Sequence, residues 1–252
     1  MPKQLKQHRN LILLGALSML MIVLLLLSST VKPYGYFIDE LYFMACAKRP
    51  AWGYIDQPPL SIVFLTIVQK LFGSNILAVR FLPALSIAAT MFVTGLIARQ
   101  LGGSLKSMLL ASMAVMVMPV MMLFGRFYSR KAYEPLLFTS IVLFVVKMLE
   151  QQNARYWLII GILFGIGLQM KHTIVLYGLA LVVGLLCTPQ RKLLWNRWAI
   201  WGFLACFLII LPNLVWQVVT HFPTLELYHN SFLYENIPKP ALQVIAEQIV
   251  FV

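Results

Sequence analysis

The sequence predicts an all-α, polytopic membrane protein of about seven transmembrane helices, with interfacial helices in the first outer loop. Three observations predict it. Hydrophobic residues make up 61% of the chain and charged residues only 11%, with a mean hydropathy of +0.84. That leaves too little polar material to cover a soluble domain. Several apolar runs approach or exceed the roughly 20 residues that cross a hydrocarbon core. The two-residue alternation of an outer-membrane barrel is absent. The whole chain, residues 1–252, reads as a single membrane domain.

The first helix is expected over residues 11–31, behind a basic flank of Lys3, Lys6 and Arg9 that places the N-terminus in the cytoplasm. It is too long for a signal-peptide core. Residues 32–75 then form an outer loop. Within it, residues 39–48 have helical spacing, and Pro58-Pro59 starts a second amphipathic helix ending near Phe72. The charges on both favour the interface over a full span.

The second span covers residues 76–98 and returns inward to a turn at Gly102-Gly103. The third covers 107–124, an outer turn follows at 125–134, and Pro135 opens the fourth, which ends near Leu149. Residues 156–187 are apolar but interrupted by Gln169, Lys171 and His172. One straight helix of that length would run roughly 48 Å, so two short spans meeting at Lys171-His172 fit better, with a re-entrant pair as the alternative. Residues 188–197 are basic and cytoplasmic, and a last span covers 198–216 before a polar outer tail. The chain stops inside a new apolar run at Val250-Phe251-Val252, and reads as the N-terminal part of a longer protein.

The net charge is +12. Most basic residues flank apolar runs, as membrane flanks do, so nucleic acid is not an expected partner. They divide about equally between the two sides. Arg126, Arg130, Lys131 and Lys171 fall on the outer side, against the usual bias, and an anionic lipid head group is the natural reason. Cys46, Cys187 and Cys206 have no metal-like spacing. P-loop, dinucleotide and hydrolase motifs are absent, which argues against an ATPase, a nucleotide-sugar-binding Rossmann domain or a hydrolase of known motif.

The first outer loop holds the densest chemistry: Asp39, Glu40, Asp56, and the aromatic residues Tyr34, Tyr36, Phe37, Tyr42, Phe43, Trp52 and Tyr54. Asp39-Glu40 suits either a general base at the membrane boundary or a solvated acidic pair favoured by a helix N-terminus. Asp56, before Gln57-Pro58-Pro59, and Glu134, before Pro135, are either turn and helix-start acids or site residues. Glu134 lies within a few residues of Arg126, Arg130 and Lys131, which form either an internal ion-pair set or a phosphate clamp. Lys171 either snorkels or faces a polar site. His172 binds a metal or simply hydrogen-bonds.

Taken in order, these residues resemble the membrane-embedded C-type glycosyltransferases, the superfamily of dolichyl-phosphate-mannose protein mannosyltransferases and bacterial lipid A aminoarabinose transferases. The resemblance rests on Asp39-Glu40 after the first helix, Asp56-Gln57-Pro58-Pro59-Leu60, Glu134-Pro135 at the fourth span, Lys171 between two short spans, and Pro212-Asn213 before Trp216. It implies an inverting sugar transfer from a polyprenyl-phosphate lipid donor to a lipid, glycan or protein acceptor at the outer face of the inner membrane. It makes Asp39 the candidate base, with Glu40 beside it. It leaves Asp56 and Glu134 to shape the site or hold a divalent metal ion. Gln57, Arg126, Arg130, Lys131, Lys171 and His172 become candidates for the donor. The sequence departs from the family in Gln57, where some members carry Lys, and in Glu134, where Asp is common. No histidine clearly matches the expected metal ligand; His221 and His229 are only nearby. Members are also longer, usually with a C-terminal outer domain. Rival readings are a transporter for a lipid-linked anion and a non-catalytic remnant.

Overall fold

The computed structural model describes residues 3–30, 35–235 and 240–251. Val31, where the first helix is expected to end, and Tyr34 of the aromatic set lie outside them. The elements of the described residues are all helical, with no strand among them.

All seven apolar segments form helices. Four are long and apolar enough to cross a membrane: α1 (Lys3–Thr30, apolar from Gln7), α4 (Ile76–Gln100), α7 (Tyr133–Gln151, preceded by a 3-10 turn Arg130–Ala132) and α10 (Arg197–Val219). The expected third span is instead broken into α5 (Leu105–Val117) and α6 (Pro119–Arg126), bent by 66°. Pro119 removes a backbone donor and pushes Met118 out of the helical region, to φ −71°, ψ 118°. Counted as one span, the pair makes a fifth. The segment around Lys171 is a pair of short helices, α8 (Tyr156–Leu168) and α9 (Ile174–Leu186). Each has 13 residues, about 20 Å against a hydrocarbon core of about 30 Å. Of the seven expected spans, four are long, the third is bent, and the two around Lys171 are short, as expected.

In the first loop, α2 (Ile38–Ala47) and α3 (Leu60–Phe72) form close to where helical spacing placed them. Both dock on the bundle with one face. Phe43 and Ala47 of α2 and Ile62 and Leu65 of α3 are buried in a core shared with Tyr128, Tyr133, Ile141 and Ile160. A second core joins α1 to α4 through Met21, Ile22, Leu25, Ala84, Ile87 and Met91. α7 starts two residues before Pro135, which sits in its first turn, where its missing N–H costs nothing. Beyond α10 the tail forms α11 (Pro223–Asn230), a π-helical turn Ser231–Glu235 and α12 (Ala241–Phe251).

The apolar exterior reads as a lipid-facing surface. Ile200 and Phe203 of α10 are 70% and 74% exposed, which hydrocarbon tolerates and water does not. Inside, α8 and α10 cross at a glycine contact. A Cβ at Gly161 would overlap the carbonyl of Gly202, and one at Gly202 would overlap the carbonyl of Trp157. Small residues at such crossings let backbones approach until dispersion contacts form. Gly161→Ala is therefore expected to separate the two helices and destabilise the fold by about 1–3 kcal/mol. A thermal unfolding curve in detergent reads this out, with Gly15→Ala, where a Cβ meets nothing within 4 Å, as the control.

Candidate active site

The residues singled out by the sequence gather at one end of the bundle. The C-terminal ends of α1, α6, α8 and α10 and the N-terminal ends of α4, α7 and α9 all lie there, together with α2 and α3. Ion pairs and hydrogen bonds between these elements close that end: Arg80 to Glu40, Arg130 to Asp56, Lys171 to Glu134 and Asn213 to the Trp52 carbonyl.

The Asp39-Glu40 pair divides into two roles. Glu40 is fully buried. Its Oε1 accepts from Arg80 Nε at 3.0 Å and from the Tyr128 amide at 2.8 Å. Its Oε2 accepts from Arg80 Nη2 at 2.8 Å and from the Phe37 amide at 2.9 Å. A carboxylate held by four donors is a structural hinge pin, and it is not free to take a proton from a substrate. Asp39, one residue earlier in the first turn of α2, is exposed. It has no hydrogen bond or ion pair among the described residues.

Asp56 is bound on both oxygens. Tyr42 donates to Oδ1 at 2.5 Å, and Arg130 Nη1 lies 3.2 Å from Oδ2 and donates to the Asp56 carbonyl at 2.7 Å. Partial burial and the Asp56 hydrogen bond raise the Tyr42 pKa, so the phenol stays a donor. Gln57 is fully buried; its Oε1 accepts from Ser61 at 3.3 Å, while its Nε2 has no partner among the described residues. The turn is closed by the Tyr54 amide, which donates to the Gln57 carbonyl at 3.0 Å, and Gly53 before it lies against the Trp216 ring, which a Cβ would overlap.

The α8–α9 turn carries the third group. Lys171 Nζ donates to Glu134 Oε2 at 2.8 Å, and Thr173 donates to Oε1 at 2.9 Å. His172 Nε2 lies 3.5 Å from Asn213 Oδ1, and Asn213 Nδ2 donates to the Trp52 carbonyl at 2.9 Å. The turn is fixed to α3 by the Leu60 amide, which donates to the Gln169 carbonyl at 3.0 Å, and to α10 by Gln169 Nε2, which donates to the Ile209 carbonyl at 2.6 Å. Burial lowers the His172 pKa; the Asn213 hydrogen bond opposes this and the charge of Arg130 adds to it. Arg130 therefore joins the second group to the third.

Arg126 stands apart from these groups. It is exposed and lines a separate cavity with Ser28, Ser29, Phe37, Arg80 and Phe127. Lys131 is exposed at the start of α7, with no side-chain partner among the described residues. A divalent ion does not fit Asp56 and Glu134 as they are arranged. Each carboxylate already serves a cation and a hydroxyl, and among the described residues no three His, Cys, Asp or Glu side chains come together.

Arg80 and Thr173 are not singled out by the sequence, Tyr42 stands there only among the aromatic residues and not as the partner of Asp56, and Asn213 only as part of a motif and not as a bridge. Arg80 had a usable signal, because a lone charge early in an apolar span usually has a partner. Tyr42 and Thr173 had none, since their roles depend on which distant residues fold against them.

The profile of the dolichyl-phosphate-mannose-protein mannosyltransferase family matches residues 56–216. The chain belongs to this family. The matched stretch opens on Asp56 and closes on Trp216, and it holds Arg130, Glu134, Lys171 and Asn213; Asp39 and Glu40 precede it. No curated protein and no solved structure matches the chain significantly. The protein is thus a multi-pass membrane protein of a glycosyltransferase family.

Two outcomes follow from this geometry. Glu40→Gln strips the charge that answers buried Arg80, at a cost of about 3–5 kcal/mol; thermal unfolding in detergent should show it, with Asp39→Asn unchanged. His172 is held neutral in the fold, so its contribution is present above its unfolded pKa of about 6.5 and is lost as pH falls through the lower folded value. Unfolding temperature should decline below that pH, and His172→Gln should flatten the decline.

Proposed function

We propose that the chain transfers a sugar from a polyprenyl-phosphate donor to a lipid, glycan or protein acceptor, with inversion, at the outer face of the inner membrane, and that its N-terminus is cytoplasmic. The observation that carries this reading is the difference among four acids at one end of the bundle. Glu40, Asp56 and Glu134 are each bound to a cation. Asp39 alone is exposed and unpaired among the described residues, on a helix that Glu40 pins in place.

In this reading an acceptor hydroxyl gives its proton to the Asp39 carboxylate as its oxygen attacks the anomeric carbon. The bond from that carbon to the phosphate oxygen breaks, and the polyprenyl phosphate leaves with the electron pair. Arg130 and Lys171 answer the leaving charge, their own acids holding them in position. Lys131 adds a mobile positive charge beside them.

A place for the prenyl chain supports the reading. An apolar groove of about 420 Å³ runs between α8, α9 and α10, from Trp157 and Leu194 at one end to Leu168 and Val175 at the other. Leu168 is three residues before Lys171, so a chain lying in the groove would bring its phosphate toward the cationic end. Lipid-linked anion transport fits less well, because the ionisable groups gather at an end and not at the membrane midplane.

Transfer from a polyprenyl-phosphate sugar, measured with purified protein in lipid, tests this. Asp39→Asn is expected to lower turnover about 10²–10⁴-fold with unfolding temperature unchanged; unaltered turnover would remove Asp39 as the base. Arg130→Gln is expected to raise the donor KM as well as lower kcat, because it touches the phosphate in the ground state too.

A further inference from the structure

The cavity beside Arg126 lies outside the proposed transfer site, and its chemistry is that of an anion receptor in an apolar frame. Its volume is about 330 Å³, within the range of ligand sites. Two guanidinium groups line it. Arg80 spends Nε and Nη2 on Glu40 and on the Gly35 carbonyl, and its Nη1 has no partner among the described residues. Arg126 makes one long hydrogen bond, 3.4 Å to the Ser28 carbonyl, and no ion pair among the described residues. Glu40 balances Arg80, so among the described residues the cavity keeps one uncompensated positive charge, that of Arg126.

The rest of the lining suits an amphiphile. Phe37 and Phe127 form a tilted ring pair at 5.3 Å on one wall. Ser28 and Ser29 stand on another wall, in the last turns of α1, with their hydroxyls turned back to the Leu25 carbonyl at 2.7 and 3.1 Å. Immediately along α1, Leu24 and Leu27 are 41% and 55% exposed, an apolar track beside which acyl chains can lie. A charged pocket at the end of a lipid-facing helix matches a head group whose chains stay in the bilayer.

We infer that this cavity is a binding site for the phosphate of an anionic glycerophospholipid, separate from the site of sugar transfer. The phosphate takes donors from Arg126 and from the free Nη1 of Arg80. Bound there, it ties the end of α1 to α4 and α6, and through Arg80 it supports the Glu40 pin beneath Asp39. The glycosyl-transfer reading is not needed for this site to exist, and its test reads binding alone.

The purified full chain is placed in phosphatidylcholine nanodiscs with or without phosphatidylglycerol. Retained phosphatidylglycerol is measured by native mass spectrometry, and unfolding temperature is measured beside it. Wild type is expected to retain phosphatidylglycerol and to unfold at a higher temperature with it. Arg126→Gln should weaken retention roughly tenfold or more, the loss of one charge-assisted contact. Arg126→Lys should keep part of it, and Lys70→Gln, an exposed charge elsewhere on the same end, should leave it intact. Equal retention in wild type and Arg126→Gln would overturn the site. Equal stabilisation by inorganic phosphate would reduce it to a free-anion site. Displacement of phosphatidylglycerol by polyprenyl phosphate, lost in Arg126→Gln, would assign the cavity to the donor instead.

Discussion

A carboxylate buried in an apolar bundle has to be answered by donors, and Glu40 is answered by four. Arg80 reaches it from α4, Tyr128 from the loop after α6, and Phe37 from the start of its own helix. The four donor groups sit on three residues from different parts of the chain, so one ionised side chain ties those three parts together. Burying the pair is costly, and the cost is offset only because nearly every lone pair is used. The arrangement is all-or-none: it holds α2 in one place or fails. Asp39, at the edge of that helix, inherits the precision without being part of the network.

Two further ion pairs repeat the pattern with less burial. Asp56 with Arg130, and Glu134 with Lys171, join the first loop to the start of α7 and the α8–α9 turn to the same helix. Their side chains keep partial access to the outside, which the Glu40 pair lacks. One end of the molecule thus holds a sealed pair, two half-open pairs and Asp39, unpaired among the described residues. The glycine contact between α8 and α10 belongs to the same design. It brings two backbones close, while α9, too short to cross, leaves a groove at their side.

Much of the architecture was legible from hydropathy. The apolar runs became helices, the charges at Lys171 and His172 marked a turn, and the prolines at 58–59 marked the start of α3. These succeed because helix formation in lipid is a local demand: a backbone without water must bond to itself, whatever its neighbours do. The break at Pro119 was also local and readable from the residue, yet the apolar run around it concealed it. Of the site, the identities of the acids and bases were legible, and their pairing was not. Asp39 and Glu40 are adjacent and chemically similar; only the fold makes one a pin and leaves the other exposed.

The amino-acid sequence by itself determined that this is a helical membrane protein, with its polar and charged residues concentrated in the first loop and in the turns before α7 and α9. It also carries the family, since that signal is spread over residues 56–216. Tertiary structure alone decided which charges are neutralised, that Arg80 partners Glu40 across 40 positions, and that Arg126 and Arg80 line one cavity. The physical reason is range. Hydrophobic periodicity and backbone hydrogen bonding act over a few residues, so the order of residues shows them. A charge in a low-dielectric interior is settled by whichever opposite charge the fold brings within about 3 Å, and sequence distance says nothing about that.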